Sequence, residues 1–205
     1  MIVNPHLFAT FLAITVVVLI TPGPIVTLLI TTGATQGVKA ALTTVAGTAL
    51  GSAAQLTLIA LGLAWMLENA AGVFEVLRWL GALYLVWLGI GAWRSASDQE
   101  QAIDRASINI RRGFLVALTN PKTIAFFTAF LPQFVDAHLA AGPQLAAMCV
   151  ASVLLAGVTD TGWAMASGYG RKWLMHPSRM KLLGRLSGLT LIGGGIWLSL
   201  VRRPA

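Results

Sequence analysis

Residues 40–66 hold no charged side chain, and five other stretches are nearly as apolar: roughly 7–30, 74–93, 113–134, 143–168 and 182–201. About 20 apolar residues in helical conformation cross the hydrocarbon core of a bilayer. Six such runs in 205 residues leave little chain for anything else. The residues are 57% hydrophobic and 10% charged, whereas a soluble domain carries about a quarter charged residues. A water-soluble fold of this composition would expose apolar areas that monomeric proteins rarely show. The expected fold is therefore an all-α integral membrane protein with six transmembrane helices.

The basic residues orient it. The loops after the first, third and fifth segments hold Lys39, Arg94, Arg105, Arg111, Arg112, Arg171, Lys172, Arg179, Lys181 and Arg185. The other side holds Arg78, Arg202 and Arg203. Basic loops stay in the cytoplasm, so the polar stretch 94–112 is expected inside and both termini outside. The net charge of +7 is a topology signal here and does not point to nucleic acid, because the bases sit in short loops and not along an aromatic-lined groove. The opening residues MIVNPH lack the positive region of a signal peptide, so the first apolar run is read as a retained helix. The single cysteine, Cys149, falls in an apolar run and is expected to be buried and inert. His6, His138 and His176 lie at different segment ends without metal-ligand spacing.

The first and fourth segments are interrupted. TPGP occupies 21–24 and NPK occupies 120–122. Proline has no N–H and clashes with the preceding turn, so it breaks or kinks a helix. In lipid a freed carbonyl must be satisfied by protein or by cavity water. Further echoes link the halves: RWLG at 78–81 with RLSG at 185–188, and GAW at 91–93 with GIW at 195–197. Three segments per half must insert in opposite senses. The expected layout is a pair of inverted three-helix repeats, 1–93 and 113–205, joined by a cytoplasmic linker at 94–112, in one membrane domain. Inverted repeats with broken helices are a transporter pattern.

Two ionisable groups lie deep in the spans. Lys122 follows Arg112 by ten residues, about 15 Å at helical rise, and Asp160 precedes Arg171 by eleven, about 16 Å. A charge at that depth costs about 2.5–3.5 kcal/mol even on lenient insertion scales. The two are expected to pair with each other or with substrate. For Lys122 a second role stays open, as a cap on carbonyls freed by Pro121. Gln55 continues a face with Gly47 and Gly51 at i, i+4, i+8. For those glycines helix packing is the favoured reading.

These pieces resemble the LysE/RhtB family of bacterial amino-acid exporters. The resemblance is carried along nearly the whole chain by TPGP at 21–24, GATQG at 33–37, AGTALG at 46–51 and GALYLVWLGIGAWRSA at 81–96. It continues through NPK at 120–122, FLPQF at 130–134, and Asp160 with Trp163. It implies a multi-pass inner-membrane protein, not an enzyme. That protein would export an amino acid or small derivative, couple to the proton gradient, need no organic cofactor and form a homodimer in lipid. Such a substrate is a zwitterion. The expected site comprises Thr21, Pro22, Gly23, Pro24, Gln55, Asn120, Pro121, Lys122 and Asp160. Half-helix N–H groups after the first break and Lys122 would meet the carboxylate. Asp160 would hold the ammonium or carry the coupling proton. No second intramembrane carboxylate awaits a cationic side chain, so a neutral or small polar substrate is expected. Competing readings are a metal-cation exporter, a membrane-embedded enzyme and an assembly factor that moves nothing.

Overall fold

A computed structural model describes residues 2–69, 71–95, 110–170 and 176–200. The linker expected at 94–112 lies mostly outside the described residues. The chain forms α1 (Pro5–Ile20), α2 (Pro24–Gln36), α3 (Val38–Asn69), α4 (Ala71–Ser95), α5 (Ile110–Leu118) and α6 (Pro121–Phe130). A 3₁₀ turn at Leu131–Phe134 leads to α7 (Ala141–Tyr169) and α8 (Pro177–Leu200). Helices α3, α7 and α8 are each long and apolar enough to cross a membrane. Two further candidates are bent pairs: α1 with α2, at 47°, and α5 with α6 and its 3₁₀ turn, at 44°. The described residues thus form an all-helical membrane protein with three to five candidate spans. Helix α4 covers the expected third segment as one helix of 25 residues.

Local chemistry sets the ends. Asn4 caps α1, its Oδ1 accepting from the N–H of His6 at 3.1 Å and of Leu7 at 3.5 Å, with Pro5 in the first turn. Pro24 and Pro121 each open a half-helix. The first segment runs past its expected end at residue 30, because nothing in ITTGATQ stops a helix before Gly37. That glycine has φ 90°, a conformation costly for residues with a Cβ, and α3 starts immediately after it.

Lipid supplies no hydrophobic drive between helices, so close packing of small residues takes over. Helices α3 and α5 run parallel. A Cβ on Gly47 would meet the Ile110 carbonyl, one on Gly51 the Phe114 carbonyl, and one on Gly113 the Thr44 carbonyl. Gly47 and Gly51 are therefore packing residues. Helices α4 and α8 run antiparallel, with Gly89 against Gly188 and Gly195 against the Ala82 carbonyl. Outward faces carry Leu58, Leu61, Trp65, Val150, Leu154 and Val158, all exposed, while Thr48, Gln55, Lys122 and Asp160 are buried. That inside-out polarity suits a protein whose solvent is lipid. At one end, Phe126, Phe130 and Trp197 stack with centroids 4.6 and 5.3 Å apart, and Phe11 meets Phe134 at 5.6 Å.

Candidate functional site: two crossed helix breaks

Pro22 has no N–H to give the carbonyl four residues earlier, that of Val18. Lys122 supplies the missing donor. Its Nζ donates to Val18 O at 2.7 Å, and also to Thr21 O. Ser187 Oγ, on α8, donates to Pro22 O. The first break is thus closed by side chains from the second half of the chain. Gly23 caps α2 without any side-chain bond, and Thr21 turns its hydroxyl back to Val17 O.

The second break mirrors this. Pro121 frees the carbonyl of Ala117. Gln55 Nε2 donates to Ala117 O and Leu118 O, each at 2.9 Å. Asn120 Oδ1 accepts from the Lys122 N–H at 3.1 Å, which diverts that donor from Leu118. Thr123 Oγ1 donates to Gln55 Oε1 at 2.6 Å. The expectation that Lys122 caps carbonyls freed by Pro121 is therefore corrected: it caps those of the opposite break, and Gln55 serves Pro121's. The reason is reach. Lys122 sits in the first turn of α6, where its own helix's freed carbonyls lie behind it and those of the first break lie across the bundle.

Asp160 projects from α7, 5% exposed, and its Oδ2 accepts from Thr48 Oγ1 at 2.9 Å. Lys122 and Asp160, expected as a pair, are neighbours across a chamber of about 30 Å³, each with its own hydrogen-bond partner. Ser52, Gln55, Asn120, Thr123 and Ser152 also line that chamber. Beside it lies a larger cavity of about 480 Å³, whose walls include Pro22, Gly23, Pro24, Pro121 and Lys122. Its far wall is Trp87, Leu88, Gly91 and Ala92 of α4 with Leu183, Gly184, Ser187 and Leu191 of α8. Of the expected site residues, Pro22, Gly23, Pro24, Pro121 and Lys122 meet at the cavity. Gln55, Asn120 and Asp160 line the chamber, and Thr21 joins through its carbonyl. No described group of three or more His, Cys, Asp or Glu could hold a metal ion. Cys149 is buried, its Sγ 3.6 Å from Leu56 O.

Thr48, Ser52, Thr123, Ser152 and Ser187 were not singled out from the sequence. A signal existed for two of them: Thr48, Ser52 and Gln55 recur at i, i+4, i+7, a polar stripe in an uncharged helix. Ser187 lay within the RLSG echo at 185–188, which did not mark its hydroxyl.

Residues 16–201 match the profile of the LysE type translocator family. A Vibrio cholerae protein described as an uncharacterized membrane protein is 30% identical over 200 residues, covering 95% of this chain and 97% of that one. A homoserine/homoserine lactone efflux protein of Salmonella typhimurium is 32% identical over 77% of this chain and 79% of its own length. A leucine efflux protein of Klebsiella pneumoniae is 32% identical over 64% of each chain. No solved structure matches the chain.

Proposed function

We propose a function from one premise: the chain belongs to the LysE type translocator family, whose members are transporters and not enzymes. It exports an amino acid or small derivative across the bacterial inner membrane, driven by the proton gradient. The observation that carries this reading is the pair of crossed breaks. Each half of the chain opens a helix and satisfies the other half's freed carbonyls, around a cavity bearing one cation with one carboxylate behind it. The N–H groups at the start of α2 and the Lys122 ammonium receive the substrate carboxylate. Asp160 carries the coupling proton or meets the substrate ammonium.

Packing supports six spans in two inverted repeats, 1–93 and 113–205, joined through 94–112. The directions alternate as that layout requires: α2 runs parallel to α7, α3 parallel to α5, and α4 antiparallel to α8. The larger cavity reaches toward the ends of α4 and α8 that carry Arg94 and Arg179, the basic side assigned to the cytoplasm. The aromatic stack of Phe126, Phe130 and Trp197 lies toward the opposite end. This arrangement fits a cytoplasm-facing state of a transporter that alternates access. The homodimer and both external termini belong to the same reading. A metal-cation exporter is disfavoured, because the deep donors are one carboxylate, hydroxyls and amides, with an ammonium among them.

The cavity wall points to the substrate. Ile30, Trp87, Leu88, Leu183 and Leu191 are apolar, and among the described residues Lys122 is its sole charged lining residue. A neutral side chain fits this wall. A lysine or arginine side chain would face a cation with no carboxylate among the described lining residues to offset it. The experiment is uptake into inverted vesicles of radiolabelled leucine, homoserine and lysine, with a proton gradient and without. Gradient-driven uptake of a neutral amino acid by wild type, lost in Asp160→Asn with substrate-for-substrate exchange retained, supports the reading. Undiminished uphill uptake by Asp160→Asn rules out the coupling role. No uptake of any amino acid rules out the function.

A further inference from the structure

Gly23 and Lys122 line both spaces, the large cavity and the Asp160 chamber, and among the described residues no other is shared. The lysine stem lies across the glycine: a Cβ built on Gly23 would come within 2.9 Å of Lys122 Cδ. At its tip the ammonium is held by the carbonyls of Val18 and Thr21. The stem is therefore a wall between the two spaces, and the ammonium is its latch. The chamber's volume of about 30 Å³ is room for a couple of waters at roughly 10–15 Å³ each.

The latch has a natural competitor. A lysine ammonium has three N–H donors, and two are given to neutral carbonyls here. A carboxylate entering the large cavity offers a charged acceptor, which adds the attraction of an ion pair to the hydrogen bond, as a neutral carbonyl does not. We propose that Lys122 is a swinging partition. A substrate carboxylate draws its ammonium off the Val18 and Thr21 carbonyls, and the two spaces merge. Asp160 then meets the substrate ammonium only after the carboxylate is bound. Lys122 is in this sense a specificity-determining and positioning residue: it admits amino acids and refuses amines that lack a carboxylate, whatever their side chain. Gly23 is required because any side chain there would push the partition aside.

This rests on the export reading, but the test separates the two. Ser52 lines the chamber and not the cavity. Ser52→Cys is built in a Cys149→Ala background of the full chain, reconstituted in liposomes. Its rate of reaction with a small neutral methanethiosulfonate is measured alone, with leucine, with homoserine, and with 3-methylbutylamine. The expected rate is slow in the parent, at least tenfold faster with Lys122→Ala added, and faster again than parent with Gly23→Ala, a second variant should the first not fold. The amino acid that vesicles export accelerates the parent severalfold. 3-Methylbutylamine does not. Equal rates in the parent and in a folded Lys122→Ala or Gly23→Ala overturn the partition. Acceleration by the amine as strong as by the exported amino acid overturns the carboxylate latch. If vesicles export no amino acid, the export reading fails, while the comparison of variants still decides the partition.

Discussion

Replacing Gln55 by leucine removes the donor that closes the second break while keeping the side chain's volume. Two carbonyls, those of Ala117 and Leu118, then lose partners at 2.9 Å. Thr123 Oγ1 loses its acceptor at 2.6 Å but keeps the Asn120 carbonyl at 3.1 Å. Ala117 O keeps the Asn120 N–H at 3.2 Å, so one carbonyl, that of Leu118, is left unpaired, and a buried polar group left so costs about 1–3 kcal/mol. The membrane-embedded unfolded chain also finds alternative partners, and measured interhelical bonds in lipid average about 0.6 kcal/mol. That argues for the low end, about 1 kcal/mol. Thr123→Ala loses only a hydroxyl with a second acceptor and is expected to cost about 1 kcal/mol or less. The two changes are non-additive, because both act on one network. The assay is reversible unfolding in mixed micelles with increasing dodecyl sulfate. Thr57→Val serves as control, since Thr57 bonds only within its own turn, to Ala53 O at 2.8 Å, and should shift stability by under about 0.5 kcal/mol. A Gln55→Leu protein as stable as the control would refute the claim that Gln55 closes the break, and with it the reciprocity of the two halves.

Four other outcomes are expected. Gly51→Leu, which drives a side chain into the Phe114 carbonyl, prevents α3 and α5 from meeting and abolishes folded protein by size-exclusion chromatography. Gly62→Ala, which meets nothing within 4 Å, is tolerated and stabilises α3 by up to about 1 kcal/mol. In the loop before α7, the Asn4 side-chain amide, at 2.9 Å, and the His138 N–H hold the Asp136 carboxyl below its ordinary range. A depressed carboxylate pKa stabilises the fold above the ordinary value of about 3.9, and that contribution fades as pH falls through the folded-state value. Asn4→Ala should therefore raise the Asp136 titration midpoint and reduce the acid sensitivity of stability below about pH 4, as read by amide exchange of residues 136–140 against pH. Finally, Pro22→Ala with Pro121→Ala restores the N–H donors to Val18 and Ala117, straightens both helices and eliminates transport while the protein still inserts. Wild-type export by the double variant would reduce both breaks to incidental kinks.

The sequence by itself determined the solvent and the punctuation of this protein. Uncharged runs of span length admit only lipid around them, and proline cannot donate to the turn before it wherever it stands. Both are properties of single segments, so TPGP and NPK were legible as breaks, and Lys122 and Asp160 as charges needing a reason. Glycine spacing likewise announced the α3 face that packs on α5. Tertiary structure alone decided who answers whom. Lys122 serves the break made by Pro22, Gln55 serves that of Pro121, and Ser187 reaches Pro22 O from the far wall of the cavity. A freed carbonyl specifies only that some donor must lie within about 3 Å. Which donor arrives depends on how α3, α6 and α8 cross in space, and that is set by close packing between segments as much as 165 positions apart in the chain. For the same reason Asp160 was visible as a residue, while the chamber around it, with Thr48 and Ser52 on its wall, exists only once α3, α6 and α7 are assembled.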